Sequence, residues 1–146
     1  MKFTIEELKE KLPHLVCDWY DNKDNMSYPC NVDIWSLFSY ILHEECYGSY
    51  QGEIYFLLKH KEKDLFCLIY DHYGSCSGCD VLKSIETWTE FQKYIENIQV
   101  DFYSRDAVIQ QCEEKIKIIK ADAFQFDVEK IPFFQECLHI LRQDRK

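Results

Sequence analysis

Residues 48–80 have the sequence GSYQGEIYFLLKHKEKDLFCLIYDHYGSCSGCD, and this stretch decides the fold. It contains all four glycines of the chain and its only Cys-x-x-Cys sequence. Two apolar runs, Ile54–Leu58 and Leu65–Tyr70, are separated by a charged segment near Lys61–Asp64, which is the pattern of a β-hairpin. Because both runs are almost continuously apolar, we expect each strand to be covered on both faces, or to have one face covered by helices and the other by large aromatic side chains.

Amphipathic helices are predicted on both sides of the hairpin, from capping residues and from apolar side chains spaced three and four positions apart. Thr4 and Glu7 form one capping box, Thr87 and Glu90 form another, and Ser104 can cap a further helix. The predicted helices span about 5–12, from Asp33 past Leu42 towards Gly48, 88–97, 105–120, and from Ile131 or Pro132 towards the C-terminus.

A third strand is expected, because two strands alone are only marginally stable. The candidates are residues 14–20 (HLVCDWY) and residues 100–103. We therefore predict an α+β fold, in which a small antiparallel sheet is built on a central hairpin of about residues 52–73 and is surrounded by about five helices. The length of 146 residues predicts a single domain over 1–146.

Composition limits the classes of function. The chain is 47% hydrophobic and 16% aromatic, which is enough for a core, and its formal net charge is −9. An acidic surface repels phosphate backbones, so direct binding to nucleic acid is disfavoured and a basic protein partner is favoured.

The sequence also indicates a compartment. No secretory signal is evident at the start, and no apolar run approaches the ~20 residues that span a bilayer. We therefore expect no membrane association and a cytoplasmic location, in the protein's own cell or in a host cell. In that compartment the eight cysteines are expected to be free thiols or metal ligands rather than a disulfide framework.

The loop after the hairpin is the first candidate site, and three interpretations are open. Cys76 and Cys79 have the spacing of two zinc ligands, and His72 is a third candidate, although no second pair follows. A thioredoxin-like redox role is the second interpretation, but the hairpin context does not supply the βαβ unit that this motif requires.

The third interpretation is structural. Glycines and short polar side chains make a tight turn, in which the two thiols are packing residues, so we expect no metal and no cofactor there, with zinc as the alternative. An ordered loop of this kind is also a plausible recognition surface. Its proposed recognition residues are His72, Tyr73, Ser75, Ser77 and Asp80.

Other signals for chemistry are weak. His43-Glu44-Glu45 is predicted to lie at a solvated helix end, and His60 in the charged turn. No nucleophile elbow, phosphate-binding loop or dinucleotide fingerprint occurs. A non-enzymatic protein is therefore favoured over an enzyme.

The two ends of the hairpin carry a resemblance. The sequence Gly48-Ser49-Tyr50-Gln51-Gly52-Glu53 leads into the first strand, and Tyr73-Gly74-Ser75-Cys76-Ser77-Gly78-Cys79-Asp80 follows the second. This pairing resembles a group of uncharacterised small proteins of bacteria and their phages. The resemblance covers only residues 48–80, implies that the hairpin and its exit loop form one module, and brings no activity with it.

The leading expectation is a small acidic protein-binding module. A phage-type inhibitor, or an immunity protein that blocks a basic, nucleic-acid-handling partner, would have this composition. The alternatives are a zinc- or thiol-dependent protein that uses Cys76 and Cys79, and a binder of a small molecule such as a nucleotide. The sequence does not indicate an oligomeric state.

Overall fold

The structure, a computed structural model, describes residues 2–13, 31–48, 52–73, 85, 87–125 and 127–143. For Asn31, His72 and Tyr73 it describes the backbone only. The α-helices are α1 (Ile5–Lys11), α2 (Asn31–Phe38), α3 (Trp88–Glu96), α4 (Arg105–Ala121) and α5 (Ile131–Gln143). The strands are β1 (Ser39–Gly48), β2 (Gly52–His60), β3 (Leu65–Tyr73) and β4 (Tyr103–Ser104), and a 3₁₀ helix covers Val128–Lys130.

The fold is α+β, as the sequence predicts. The four strands form one antiparallel sheet in the order β1-β2-β3-β4, and five α-helices accompany it in the described part of the chain. The predicted hairpin is confirmed as β2 and β3, joined by the charged turn at 61–64. Phe56, Leu57 and Leu58 are consecutive and fully buried, so β2 is covered on both faces, as its continuous apolar run predicts.

His60, which the sequence predicts to lie in the charged turn, stabilises the turn of the hairpin. His60 Nδ1 accepts hydrogen bonds from the backbone N–H groups of Glu62 and Lys63, at 3.0 and 3.1 Å. Its ring also meets the ring of Phe102 edge to face. His60 is therefore a structural residue of the turn.

Contacts divide the chain into two compact units. The first comprises 1–38, 47–53 and 71–100, and the second comprises 39–46, 54–70 and 101–146. The single domain over 1–146 stays a prediction. None of the helices that the structure describes combines the length and the apolar character needed to cross a bilayer.

In the first unit, α1 packs on α3. Thr4 caps α1 and Thr87 caps α3 through the side-chain bonds that the sequence predicts. Gln92 Nε2 donates to the carbonyl of Phe3 at 2.8 Å, which ties the start of the chain to α3. Leu8 and Phe91 are fully buried and supply the core of this unit.

In the second unit, α4 and α5 pack side by side, and Arg105 connects three segments. Its guanidinium donates to the carbonyl of Leu141 on α5 and forms an ion pair with Asp64 in the hairpin turn, each at 2.7 Å. The guanidinium also lies 4.6 Å from the centre of the Phe66 ring on β3. The start of α4 is thereby fixed to the hairpin and to the end of α5.

The prediction for the second helix is wrong in its second half. The helix ends at Phe38, and residues 39–48, which include Ile41 and Leu42, form β1. A short apolar run fits a helix face and a strand equally well, and pairing with β2 decides the outcome here. His43 is consequently not at a helix end: it lies in β1, with its ring stacked on Phe133 at 5.2 Å.

The predictions for the third strand had a mixed outcome. Residues 100–103 overlap the two-residue strand β4, which pairs with Leu65 and Phe66 of β3. Residues 14–20 lie outside the described residues. The long strand β1 was not predicted, because its residues were assigned to the preceding helix.

The entry to β2 requires glycine at position 52. A Cβ atom added there would lie 1.9 Å from the carbonyl oxygen of Tyr47, which belongs to the backbone of β1 and cannot rotate away. We expect Gly52→Ala to reduce the free energy of unfolding by about 2 kcal/mol, the cost of overpacking at a rigid site. Urea unfolding of both proteins measures this, and a loss below about 0.5 kcal/mol would show that the two strands separate easily here.

Candidate functional site

The loop after the hairpin, residues 74–80, lies outside the described part of the chain. Ser75, Cys76, Ser77, Cys79 and Asp80 lie outside the described residues. His72 and Tyr73 are the last residues of β3, and their side chains also lie outside the description. The recognition loop, and the alternative zinc site of His72, Cys76 and Cys79, therefore stay predictions, which metal analysis of the purified protein can test.

In the described ranges, no three His, Cys, Asp or Glu residues come close enough together to hold an ion. Of the cysteines in those ranges, Cys46 is exposed, whereas Cys67, Cys112 and Cys137 are buried, and all four are free thiols.

Three of these thiols are kept protonated by their surroundings. Burial raises the pKa of Cys67 to about 11, and the charge of Asp101 adds to the effect. A hydrogen bond with Cys112 raises the pKa of Cys137, and burial raises it further. The pKa of Cys46 is raised by partial burial and by two neighbouring carboxylates. Since the thiolate is the reactive form, these three cysteines are unsuited to nucleophilic chemistry at neutral pH.

The raised pKa of Cys67 predicts a loss of stability in alkali. An unfolded thiol ionises near 9.0 and the folded one near 11, so the stabilising contribution of Cys67 is fully present below about pH 9. It is lost as the pH rises through about 11, because the unfolded state then releases its proton more readily. Urea unfolding across this range should show the stability advantage of the wild type over Cys67→Ala shrinking with pH, whereas a constant difference would contradict the assignment.

The second unit contains a groove with a volume of about 270 Å³. Strands β2 and β3 form one wall, α4 forms another, and the 3₁₀ helix with the start of α5 completes the site. The lining side chains are Tyr55, Leu68, Ile69, Tyr70, Gln111, Lys115, Ile118, Ile119, Asp127, Lys130, Phe133 and Phe134. We refer to these twelve residues as the aromatic groove.

Aromatic rings form the floor of the aromatic groove. The Tyr55 ring stacks on Tyr70 at 5.5 Å and meets Phe133 and Phe134 at 5.5 and 6.1 Å. Phe133 is fully buried, whereas Tyr70 is 58% exposed. The ring cluster is therefore anchored in the core at one end and reaches solvent at the other.

Charged groups border the same groove. Lys130 Nζ lies 5.2 Å from the centre of the Tyr55 ring and forms an ion pair with Asp127 at 2.9 Å. The Lys130 side chain is largely buried, whereas that of Asp127 is half exposed. Lys115 on α4 is a second, exposed ammonium group at the groove. The site therefore combines π-faces with an excess of positive charge.

The sequence did not predict this groove. Gln111, Lys115 and Ile118 are spaced by four and three positions, so their shared helix face could have been recognised. The meeting of that face with Tyr55 and Tyr70 depends on how strands and helices pack, and periodicity along the chain does not contain this information.

Comparisons with known proteins return no relative: no protein-family model, no curated protein and no solved structure matches this chain.

Proposed function

We propose that this chain is a non-enzymatic binding protein that docks on a basic protein partner. The observation that carries the proposal is the presentation of Phe124, whose side chain is 77% exposed in the connection between α4 and the 3₁₀ helix. Large aromatic side chains that a partner buries are the residue type that dominates binding energy at protein interfaces.

The turn that carries Phe124 is ordered by hydrogen bonds. The Phe124 N–H donates to Asp122 Oδ1 at 3.1 Å, and the Gln125 N–H donates to the carbonyl of Asp122 at 3.3 Å. Gln125 also adopts a left-handed backbone with φ of 53°, which is unfavourable for a residue other than glycine. A constrained turn that presents an aromatic ring reduces the entropy lost on binding.

Further apolar side chains lie near Phe124 in sequence. Ile118 on the last turns of α4 is 56% exposed, and Val128 is 47% exposed. Single exposed apolar residues are ordinary on protein surfaces, and these three large ones are close together in sequence, within residues 118–128. We take Ile118, Phe124 and Val128 as the docking residues.

Charge supports a basic partner. The net charge of −9 produces a negative field that accelerates encounter with a positive surface and falls with ionic strength. A nucleic-acid-handling protein presents such a surface, so a phage-type inhibitor or an immunity protein is the specific form of the proposal. The zinc- or thiol-dependent alternative rests on Cys76 and Cys79 and does not involve Ile118, Phe124 or Val128.

The test is capture of the partner with a matched variant. The immobilised wild-type chain should retain a basic protein from lysate at low salt, and Phe124→Ser should lose it. Tyr103→Ala is the control, because Tyr103 is 47% exposed in the same unit but lies on β4. Equal capture by Phe124→Ser, or no salt-sensitive protein at all, would refute the proposal. Nucleic acid should also compete with the chain for binding to the captured protein.

A further inference from the structure

We propose that the aromatic groove is a binding site for a small aromatic anion, a single-ring compound that carries one carboxylate. This inference concerns a ligand rather than a protein partner and does not rest on the proposed function. It follows from three properties of the groove: its size, its ring-lined floor and the sign of its charge.

The size of the groove selects a small ligand. Its volume of about 270 Å³ lies just below the range of about 300–1,000 Å³ that accommodates drug-sized molecules. A single substituted ring suits a volume near the lower end of this range. The four aromatic rings are supplied by three different elements, β2, β3 and α5, so a ligand ring would be contacted from more than one direction.

The floor of the groove favours an aromatic ligand. Tyr70 stacks on Tyr55 and remains 58% exposed, so its ring extends the buried cluster towards the open side. Aromatic pairs with centroids about 4.5–7 Å apart add stabilisation beyond the burial of area. The exposed apolar side chain of Ile118 on α4 lies at the same groove and adds contact area for the ring.

The charge of the groove favours an anion, although the chain as a whole is strongly acidic. Among the described residues, two ammonium groups and one carboxylate line it, which gives these a formal charge of +1, while that of the chain is −9. Asp127 forms an ion pair with Lys130 at 2.9 Å. Lys115 lies on another element, α4. A ligand carboxylate between the two lysines would pair with Lys115 and compete with Asp127 for Lys130. Gln111 is an additional polar side chain at the same wall.

The experiment uses 4-hydroxyphenylacetate as the probe and its neutral amide, 4-hydroxyphenylacetamide, as the comparator of equal size. Calorimetric titration of the intact chain should give one saturable site for the acid, with a Kd of about 0.5 mM for a ligand of this size. The amide should bind about tenfold more weakly, because it lacks the charge that the lysines recognise. Equal binding of the two compounds, or no saturation by the acid below about 10 mM, would overturn the proposal.

Two variants change the charge of the groove in opposite directions. Lys115→Met should weaken binding of the acid about tenfold. Asp127→Asn should tighten binding severalfold, because the Asp127 carboxylate then no longer competes with the ligand carboxylate for Lys130. A variant that merely damaged the fold would not bind more tightly, so Asp127→Asn separates recognition from structure. The Asp127 side chain makes no capping hydrogen bond in the 3₁₀ helix, which makes this substitution mild.

Lys117→Met is the matched control. Lys117 lies two positions beyond Lys115 on the same helix and is equally exposed, but it does not line the aromatic groove. Its replacement should leave the Kd of the acid unchanged within about twofold, since long-range charge effects are largely screened. If Lys117→Met weakens binding as much as Lys115→Met, the attraction is a general property of the surface and the site is refuted.

Binding of the aromatic acid can be tested independently of the protein partner. Phe124→Ser, which should abolish partner capture, should bind the probe with wild-type affinity, because Phe124 does not line the groove. Loss of probe binding in Lys115→Met and loss of partner capture in Phe124→Ser are therefore separate results, and either proposal can fail alone.

Discussion

Replacing Phe133 by alanine is expected to reduce the free energy of unfolding by about 4 kcal/mol. Phe133 is 1% exposed, and its ring meets three others: it stacks on His43 at 5.2 Å and contacts Tyr55 and Phe134 at 5.5 and 5.2 Å. The substitution removes a buried ring that links β1 and β2 to α5, and it leaves a cavity that the surrounding rings only partly fill. Urea unfolding, followed by intrinsic fluorescence and by circular dichroism, measures the loss.

Phe124→Ala is the control for Phe133→Ala. It deletes the same atoms from a ring that is 77% exposed, so we expect a change within about 0.5 kcal/mol. A loss below about 1 kcal/mol in Phe133→Ala would mean that Phe133 does not organise the core of the second unit. Phe133→Ala should also abolish binding of the aromatic acid, because Phe133 supports the ring cluster at the floor of the groove.

The second large effect is expected at Arg105, where methionine should lower the free energy of unfolding by about 3 kcal/mol. Methionine removes both charged hydrogen bonds and the contact of the guanidinium with the Phe66 ring. Leu141 is fully buried, so its carbonyl would be left without the guanidinium that now donates to it at 2.7 Å. Asp64 is 65% exposed and would be solvated, so most of the cost arises at Leu141 rather than at the ion pair.

Arg142→Met is the control that separates the effect of losing a buried arginine from the effect of losing a surface charge. Arg142 forms an ion pair with Glu113 at the same distance of 2.7 Å, but both side chains are more than half exposed. We expect a loss of at most about 0.5 kcal/mol there, because exposed pairs are well solvated. Arg105→Lys should recover little of the loss, since one ammonium cannot reach both partners in the geometry of the guanidinium fork. Equal effects at Arg105 and Arg142 would contradict a structural role for Arg105.

Much of the secondary structure follows from local signals. Thr4, Thr87 and Ser104 cap the helices that the sequence assigns to them, because the side-chain oxygen and the N–H groups that it satisfies are only a few residues apart. The hairpin follows in the same way from two apolar runs and the charged turn between them. These interactions are short-range, so the sequence contains what is needed to predict them.

Residues 39–48 show where local signals fail. Ile41 and Leu42 continue the helical spacing of Ile34, Leu37 and Phe38, yet they lie in β1. Pairing with β2 supplies backbone hydrogen bonds while Ile41 and Leu42 become partly buried, and it outweighs a helix propensity worth only tenths of a kcal/mol per residue. The role of Arg105 was also missed, because its partners are 36 and 41 positions away in the chain.

By itself, the sequence determined the class of the fold, the hairpin, the starts of the capped helices α1, α3 and α4, and the net charge of −9. Only the tertiary structure decided that β1 is a strand, that Arg105 ties α4 to the hairpin turn and to α5, and that Lys115, Lys130 and four aromatic rings line one groove. The physical reason is the distance along the chain between the residues that interact. Caps, turns and periodicity depend on neighbours a few residues apart, whereas a groove and the two long-range hydrogen bonds of Arg105 depend on surfaces that meet only after strands and helices have packed.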